Sequence, residues 1–507
     1  MTQYLFSSYL LVGYLRQNED LADRVEFEVV NISVDADNIA EIVNNKKYDI
    51  LCLPCYVWNK KQLLNLIESI NAHRVIWGGP EISEAFAQKV KGGQENYFIV
   101  GEGEKKIEYV LKHFLGIHLC NGYTLASIRN KEKTFIVNAP LNDDPCSFHK
   151  IYAYQIVPDA LIKYQTVLLE TQRGCVFNCS YCNYNKAHSL PRYYKIEDVC
   201  AELEYLTKKK AKEIRITDAI FTSDLNRAKE IIRFLLKLKK IYNYIPAMFL
   251  EVDMRCIDEE FISLLGQLEN KSQKIQNTKS LDEADTARIY TNMIHGYKCI
   301  LGVGVQSLYT PALKACNRHM PTAEKINDFI KYISKYNIIL KIDMILGLPM
   351  ETKESYMNGL REVLSMCNGT DHILNIHILK ILPNTKLMNE YDKYKIVFEK
   401  NKNNIIETST MNRDTLFEMK RLSAILFRFI NSSFRECFFS ILNTGIDLYD
   451  LLSQIVHELN KASQLPQILN TCNDILDDDY WNANIFQDLK SQDLKSVMHI
   501  IKQPSNK

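Results

Sequence analysis

The chain has 507 residues, and its Lys and Arg exceed its Asp and Glu by only 62 − 61 = +1, so no basic excess exists to neutralise a phosphate backbone and nucleic acid is not the expected partner. No apolar stretch approaches the ~18–20 residues of a bilayer span, and the N-terminus lacks a basic region followed by a small-residue cleavage site, so a soluble cytoplasmic protein of about three domains is expected. Its 14 Cys are scattered; most read as small core residues, and a cluster with ligand spacing reads as a metal site.

In chain order, MTQYLFSSYLLVGYLRQ reads as an amphipathic helix. From Phe27 to Glu104 strand and helix signals then alternate: FEVVNISV, a helix near Ala36 to Asn45, YDILCLPCY, a helix from Lys60 to Ile70, RVIWGGP, a helix after Pro80, and YFIVGEGE. This alternation predicts a doubly wound α/β domain over 1–136. Residues 137–164, with three prolines, acidic turn residues and poor periodicity, read as a connector. Six further strand candidates follow, most trailed by a helical pattern: VLLETQ, EIRITDAI, MFLEVD, YKCILGVG, ILKIDMILGLP and ILNIHILKIL. Six βα units over 165–395 predict an incomplete (β/α)6 barrel with chemistry at the strands' C-terminal ends. The polar segment Glu269 to His295 is too long for an ordinary βα connection and reads as a surface insertion. Apolar spacing over 396–507 predicts a helical C-terminal region. The fold class is α/β throughout the first two domains.

Directly after the first barrel strand, ETQRGCVFNCSYC places Cys175, Cys179 and Cys182 at C-x3-C-x2-C. Three thiolates on one loop leave one iron of a four-iron cubane without a protein ligand, open to something else. The alternative is zinc, which closes with four ligands in structural sites; His188, six residues on, is the nearest candidate for the fourth. A second pair, Cys52 and Cys55 in LCLPCY, sits in an apolar strand whose alternation puts the two on opposite faces. Both read as buried fillers.

With Tyr181 in the aromatic position, this motif resembles the signature of the radical S-adenosylmethionine superfamily. The resemblance implies a [4Fe-4S] cluster on the three cysteines and S-adenosylmethionine on the open iron, with an electron donor such as flavodoxin or ferredoxin to reduce the cluster. It also implies further cofactor contacts. Asp218, ending the second barrel strand, matches a contact to the methionine amine, although the usual Gly-Gly-Glu is missing. Glu251 in FLEVDMR matches a ribose contact, with Arg255 in the R-x-x-D segment after it. Gln306 and Ser307 in GVQSLYTPALKACNR would face the cofactor cavity, and Gly347 in KIDMILGLPMET would pack beside adenine. Each also has a structural reading: Gln306 capping a strand, Gly347 serving close packing, Glu251 paired with Arg255.

Before the barrel, GGPE and GEGE together resemble the cobalamin-binding domain of one large subgroup, which extends the likeness to about residue 435. On that comparison Gly78, Gly79, Glu102 and Gly103 approach the cofactor, and Tyr56 and Trp58 in CYVWN cover the lower face of the corrin. The D-x-H-x-x-G loop is absent and the one His before residue 100 is His73, so cobalt is expected to lack a His ligand. The resemblance implies a cobalamin-dependent radical methyltransferase acting on an unactivated carbon of a small metabolite or peptide. A second reading keeps the radical step for oxidation, rearrangement or cyclisation, and a third is a cluster-bearing scaffold. No side chain is singled out as a catalytic base.

Overall fold

The computed structural model describes residues 6–32, 38–56, 59–91, 93–117, 122–128, 133–138, 150–184, 190–269, 297–399, 403–431 and 434–461. They divide into two compact units, Thr2–Leu168 with Arg192–Lys212, and Leu169–Pro191 with the chain from Glu213 onward.

The first unit opens with the expected helix, Phe6–Leu15. The segment FEVVNISV does not form a strand; its described residues are irregular. Its alternation still works as an apolar face, because Val25 and Phe27 pack against a buried cluster that includes Leu15, Ile76 and Tyr97. Alternation supplies the face; a ladder also needs a free neighbouring edge. The sheet therefore begins at β1 (Ile50–Pro54) and continues through β2 (Arg74–Gly78), β3 (Glu95–Ile99), β4 (Thr124–Ser127) and β5 (Thr134–Asn138), in the order β1-β2-β3-β5-β4. Only β4 is antiparallel, pairing with β5 as a hairpin edge. Trp77 anchors the core: its ring stacks on Phe98 with centroids 5.9 Å apart, and its indole N–H donates to Asn96 Oδ1 at 2.9 Å, so the large side chain is buried with no polar atom stranded. Cys52 and Cys55 do face opposite ways, but only Cys55 is buried. Cys52 is exposed, which corrects the expectation of two fillers.

The connector holds two helices, Ile151–Ile156 and Asp159–Tyr164. Beside the first, Lys150 and Glu202 form an ion pair at 3.3 Å with neither side chain exposed, and the Lys150 ammonium lies 3.7 Å from the centre of the Tyr194 ring.

In the second unit all six strand candidates join one sheet. After β6 (Thr166–Leu169), where the chain enters the unit, come β7 (Glu213–Ile216), β8 (Ala247–Val252), β9 (Cys299–Gln306), β10 (Ile339–Leu346) and β11 (Ile373–Ile378), neighbours in space in their sequence order. The pairs from β7 to β11 are parallel. Helices between them start on local caps: Asp224 accepts from Arg227 N at 3.0 Å ahead of Leu225–Tyr242, Asp258 from Phe261 N at 2.9 Å ahead of Glu259–Leu268, and Thr352 forms a reciprocal capping box with Ser355 ahead of Lys353–Cys367. Phe249, Ile300, Ile339 and Ile373 form an apolar cluster across the N-terminal halves of four adjacent strands. The expected helices follow at Arg413–Ile430, Arg435–Leu442 and Leu448–Lys461, after a short hairpin of Val397–Phe398 and Ile405–Glu407. Most of the expected insertion, like Trp58 and His188, lies outside the described residues. Among the described residues, no helix is long and apolar enough to cross a membrane.

Candidate functional site

Gly174 sets the start of the cysteine loop. Its φ of +92° suits glycine, and a Cβ there would stand 3.2 Å from Leu190 O. The loop is then stitched to the turn after β9's short helix, Thr310–Ala315: Ser180 N donates to Cys316 O at 2.9 Å and Asn317 Nδ2 to Asn178 O at 2.8 Å. Leu387 N donates to Ser180 O at 2.8 Å. These bonds hold the backbone of the loop. Phe177 N approaches Cys175 Sγ at 3.4 Å, and burial pushes the Cys175 thiol up to about 11, so in the absence of metal it keeps its proton. Among the described residues no three His, Cys, Asp or Glu side chains close around a single metal ion. A cubane is held differently, each thiolate taking its own iron.

Arg318 was not singled out from the sequence, and its guanidinium lies beside Cys179. Its side chain is 10% exposed, Nη1 lies 3.6 Å from Cys179 Sγ, and Nη2 donates to Gly304 O. Nε is buried without a partner among the described residues. Asp253 lies behind it at 4.0 Å and is also gripped by Arg255 through two bonds of 2.7 Å. Burial alone would raise the Asp253 carboxyl; the two guanidiniums, Arg255 above all, hold it below its ordinary value. The ACNR stretch carried the signal: a cation shortly after a strand that ends at the site.

Gln306 stands at the irregularity that shifts the β9 and β10 register, with φ +68°. A non-glycine residue in the left-handed region at a bulge is strained, and such strain concentrates at binding sites. Its Oε1 is buried with no partner among the described residues, and a Cβ on Gly304 would stand 2.2 Å from its Nε2. The glycine makes room for the amide. Glycine at 302 does the same for Glu251, whose Oε2 lies 2.2 Å from where a Cβ would be. Glu251 pairs loosely with Arg215 at 3.6 Å; the pairing with Arg255 considered from the sequence does not form, because Arg255 is turned to Asp253.

The remaining candidates are engaged within the fold. Asp218 is buried and accepts from Thr171 N at 2.7 Å, Gln172 N at 3.1 Å and the Thr171 hydroxyl, fixing the backbone just ahead of the cysteine loop; burial raises it to about 6 despite those bonds. Ser307 is buried, with its hydroxyl on Glu351 and accepting from Tyr309 N at 3.0 Å. Gly347 has φ +87°, and a Cβ there would stand 2.0 Å from Ile405 Cδ1. Tyr181 is half-buried, and that burial pushes its phenol well above its usual range.

A polar belt crosses the sheet beyond these residues. Asp343 on β10 meets Lys341 at 3.0 Å, Asn375 Nδ2 at 2.7 Å and His377 Nε2 at 3.3 Å. Burial would raise Asp343, yet Lys341 and then His377 and Asn375 hold it well below the ordinary carboxylate range. Lys341 and Arg215 both reach the Phe249 ring, at 5.6 and 4.5 Å from its centre. The belt was legible as K-x-D and N-x-H, period-two polar pairs inside strands that otherwise read as buried.

In the first unit, Gly78 ends β2 with open space where a Cβ would stand, whereas Gly79, at φ +106°, packs its α-carbon against Cys55, whose carbonyl oxygen would be 2.4 Å from a Cβ. Tyr56 OH is 2.8 Å from Ser7 Oγ. Glu102 forms a two-bond ion pair with Arg192, and Gly103 caps Glu104–Phe114.

Residues 169–363 match the family model of the Radical SAM superfamily. That stretch, which holds the cysteine loop and most of the second unit's sheet, is similar to the radical SAM superfamily. A domain of this superfamily works with a four-iron, four-sulfur cluster and S-adenosylmethionine. The residues present fit them: three thiols on one anchored loop, Arg318 beside them, and the unpartnered Gln306 Oε1 nearby in the fold. The chain is 24% identical over 405 residues, 75% of its length and 53% of the relative's, to a cobalamin-dependent radical SAM methyltransferase, TokK, of Streptomyces tokunonensis. It is 23% identical over 361 residues, 67% of its length and 48% of the relative's, to 2-(S-pantetheinyl)-carbapenam-3-carboxylate methyltransferase of Streptantibioticus cattleyicolor. The chain thus spans about half the length of these curated relatives. Its fold is similar to that of the cobalamin-dependent S-adenosylmethionine radical enzyme OxsB, solved with aqua-cobalamin and S-adenosylmethionine bound, at a TM-score of 0.61 and 14% identity, covering 98% of this chain and 81% of that one.

Proposed function

We propose that this protein is a cytoplasmic cobalamin-dependent radical S-adenosylmethionine methyltransferase acting on an unactivated carbon of a small metabolite or peptide. The observation that carries the reading is the anchored three-cysteine loop with Arg318 on Cys179, in a chain whose curated relatives include enzymes named as methyltransferases. When bound, the cluster supplies the one electron that cleaves S-adenosylmethionine to a hydrogen-abstracting radical, and cobalamin supplies the methyl group.

The chain's own residues do the positioning. Cys175, Cys179 and Cys182 hold the cluster. Gln306 offers its unpartnered carbonyl oxygen, and Glu251 its carboxylate, to polar groups of S-adenosylmethionine, while Arg318 offers its unpartnered Nε to an anionic one. Lys341, Asp343, Asn375 and His377 meet the polar groups of the substrate. The six-stranded sheet of the second unit acts as an incomplete barrel, whose apolar cluster at Phe249, Ile300, Ile339 and Ile373 keeps water from one end. The sheet of the first unit is the cobalamin-binding domain, with Gly78 as its bare backbone approach, and Tyr56, Gly79, Glu102 and Gly103 shape the same region. Without a D-x-H-x-x-G loop, no histidine of this unit would be expected to ligate cobalt.

Anaerobic turnover with candidate substrates tests this. Near-equal amounts of S-adenosylhomocysteine and 5′-deoxyadenosine are expected with an authentic substrate, because one S-adenosylmethionine donates methyl and another gives the radical. Deoxyadenosine with a new product but no S-adenosylhomocysteine would select oxidation, rearrangement or cyclisation instead.

A further inference from the structure

We propose that a basic cleft beside the cysteine loop is the docking surface for a small acidic one-electron carrier protein; the inference rests on the cluster reading above. The cleft, of about 540 Å³, is lined by Arg255, His319, Met320, Pro321, Lys325 and Phe329 among others, and among the described residues no carboxylate lines it. Arg255, His319 and Lys325 are exposed, while Met320, Pro321 and Phe329 are half-buried. Glu324 and Asp328, exposed on the same helix, stay out of the lining. Asp258 and Glu260, on the neighbouring helix, are drawn to Lys229 at 2.5 and 2.7 Å. Asp253 takes part of this charge, but it faces two guanidiniums, Arg255 and Arg318, so with Lys325 a net positive charge remains around the apolar floor, which complements a carrier whose redox centre is ringed by carboxylates. The whole chain is nearly neutral at +1, so the cleft's sign is local.

Position selects the partner. The Arg255 guanidinium lies 4.3 Å from the centre of the Phe177 ring, and Phe177 N is 3.4 Å from Cys175 Sγ. His319 adjoins Arg318, whose Nη1 is 3.6 Å from Cys179 Sγ. Two of the three thiols are therefore reached from the cleft through one intervening residue each. Electron tunnelling falls steeply with distance, so a donor seated here has a short route. In the step, one electron leaves the carrier's reduced centre and the cluster passes from its 2+ to its 1+ state; no atom or proton moves.

The test uses the cluster-loaded full chain, reduced flavodoxin as the probe, and two readouts: the rate of cluster reduction by stopped flow and the affinity for oxidised flavodoxin by titration. Lys325→Glu combined with His319→Glu should slow reduction at least tenfold at low salt and weaken binding in proportion, and the wild-type rate should fall steeply between 50 and 500 mM salt, values chosen to span strong and weak screening. Reduction by dithionite should be the same in both proteins. Equal flavodoxin rates in variant and wild type would overturn the docking site, as would an equal loss from Lys237→Glu, an exposed position on Leu225–Tyr242 that does not line the cleft. If dithionite reduces no cluster even in the wild type, the cluster reading itself has failed and the docking site falls with it.

Discussion

Glu351 offers a quantitative check on how the segment beside Gly347 is built. Its side chain is 1% exposed, Oε1 receives the Ser307 hydroxyl, and Oε2 has no partner among the described residues. Burial raises it from an ordinary 4.5 to about 8, against the lowering effect of that one bond. The folded state therefore keeps a proton that the unfolded state has lost between those two values, and stability falls as pH rises through the window. From pH 4.5 to 7 the loss is roughly 3 kcal/mol, at 1.36 kcal/mol per unit. Glu351→Gln keeps an acceptor for Ser307 but cannot ionise. It should match wild type near pH 4.5 and exceed it near neutrality, by about 3 °C in thermal midpoint for a chain of this size. Asp218, raised to about 6 by burial, adds its own slope between 3.8 and 6, which the difference between the two proteins cancels. Thermal unfolding of the metal-free protein across this range is the assay. Parallel curves for variant and wild type would refute the neutral buried carboxyl.

Lys150→Met should cost about 3–5 kcal/mol, because it leaves the fully buried Glu202 charge without its ammonium, whereas Lys150→Met with Glu202→Leu should recover most of that; denaturant midpoints of the two variants decide it. Gly347→Ala should destabilise by about 1–3 kcal/mol, since both its φ of +87° and the Ile405 methyl group 2.0 Å from the new Cβ oppose it; an unchanged midpoint would show that the strand end relaxes freely.

How much of this was legible follows from which signals are local. All six strands of the second unit were readable because each buried parallel strand is a continuous apolar run. The cysteine loop was readable because its three cysteines lie within eight residues of one another. FEVVNISV misled because alternation reports a half-buried face and says nothing of whether an edge is free to pair. The β4 and β5 hairpin went unread because its strands are short. Arg318, and the partners of Glu251 and Arg255, depend on chain segments far apart in sequence: Arg318 meets Cys179 across 139 positions. Spacing along one strand cannot tell which of two nearby carboxylates a guanidinium will choose.

Cys175, Cys179 and Cys182 are proposed to hold a cluster with one iron open to S-adenosylmethionine. Electron paramagnetic resonance of the reduced, anaerobically reconstituted protein, with and without S-adenosylmethionine, tests it most directly. The expected result is a cluster signal whose shape changes when S-adenosylmethionine is added, and no signal from the protein in which all three cysteines are replaced by Ala. A cluster signal that persists in that variant, or one in wild type that S-adenosylmethionine leaves unaltered, would contradict it.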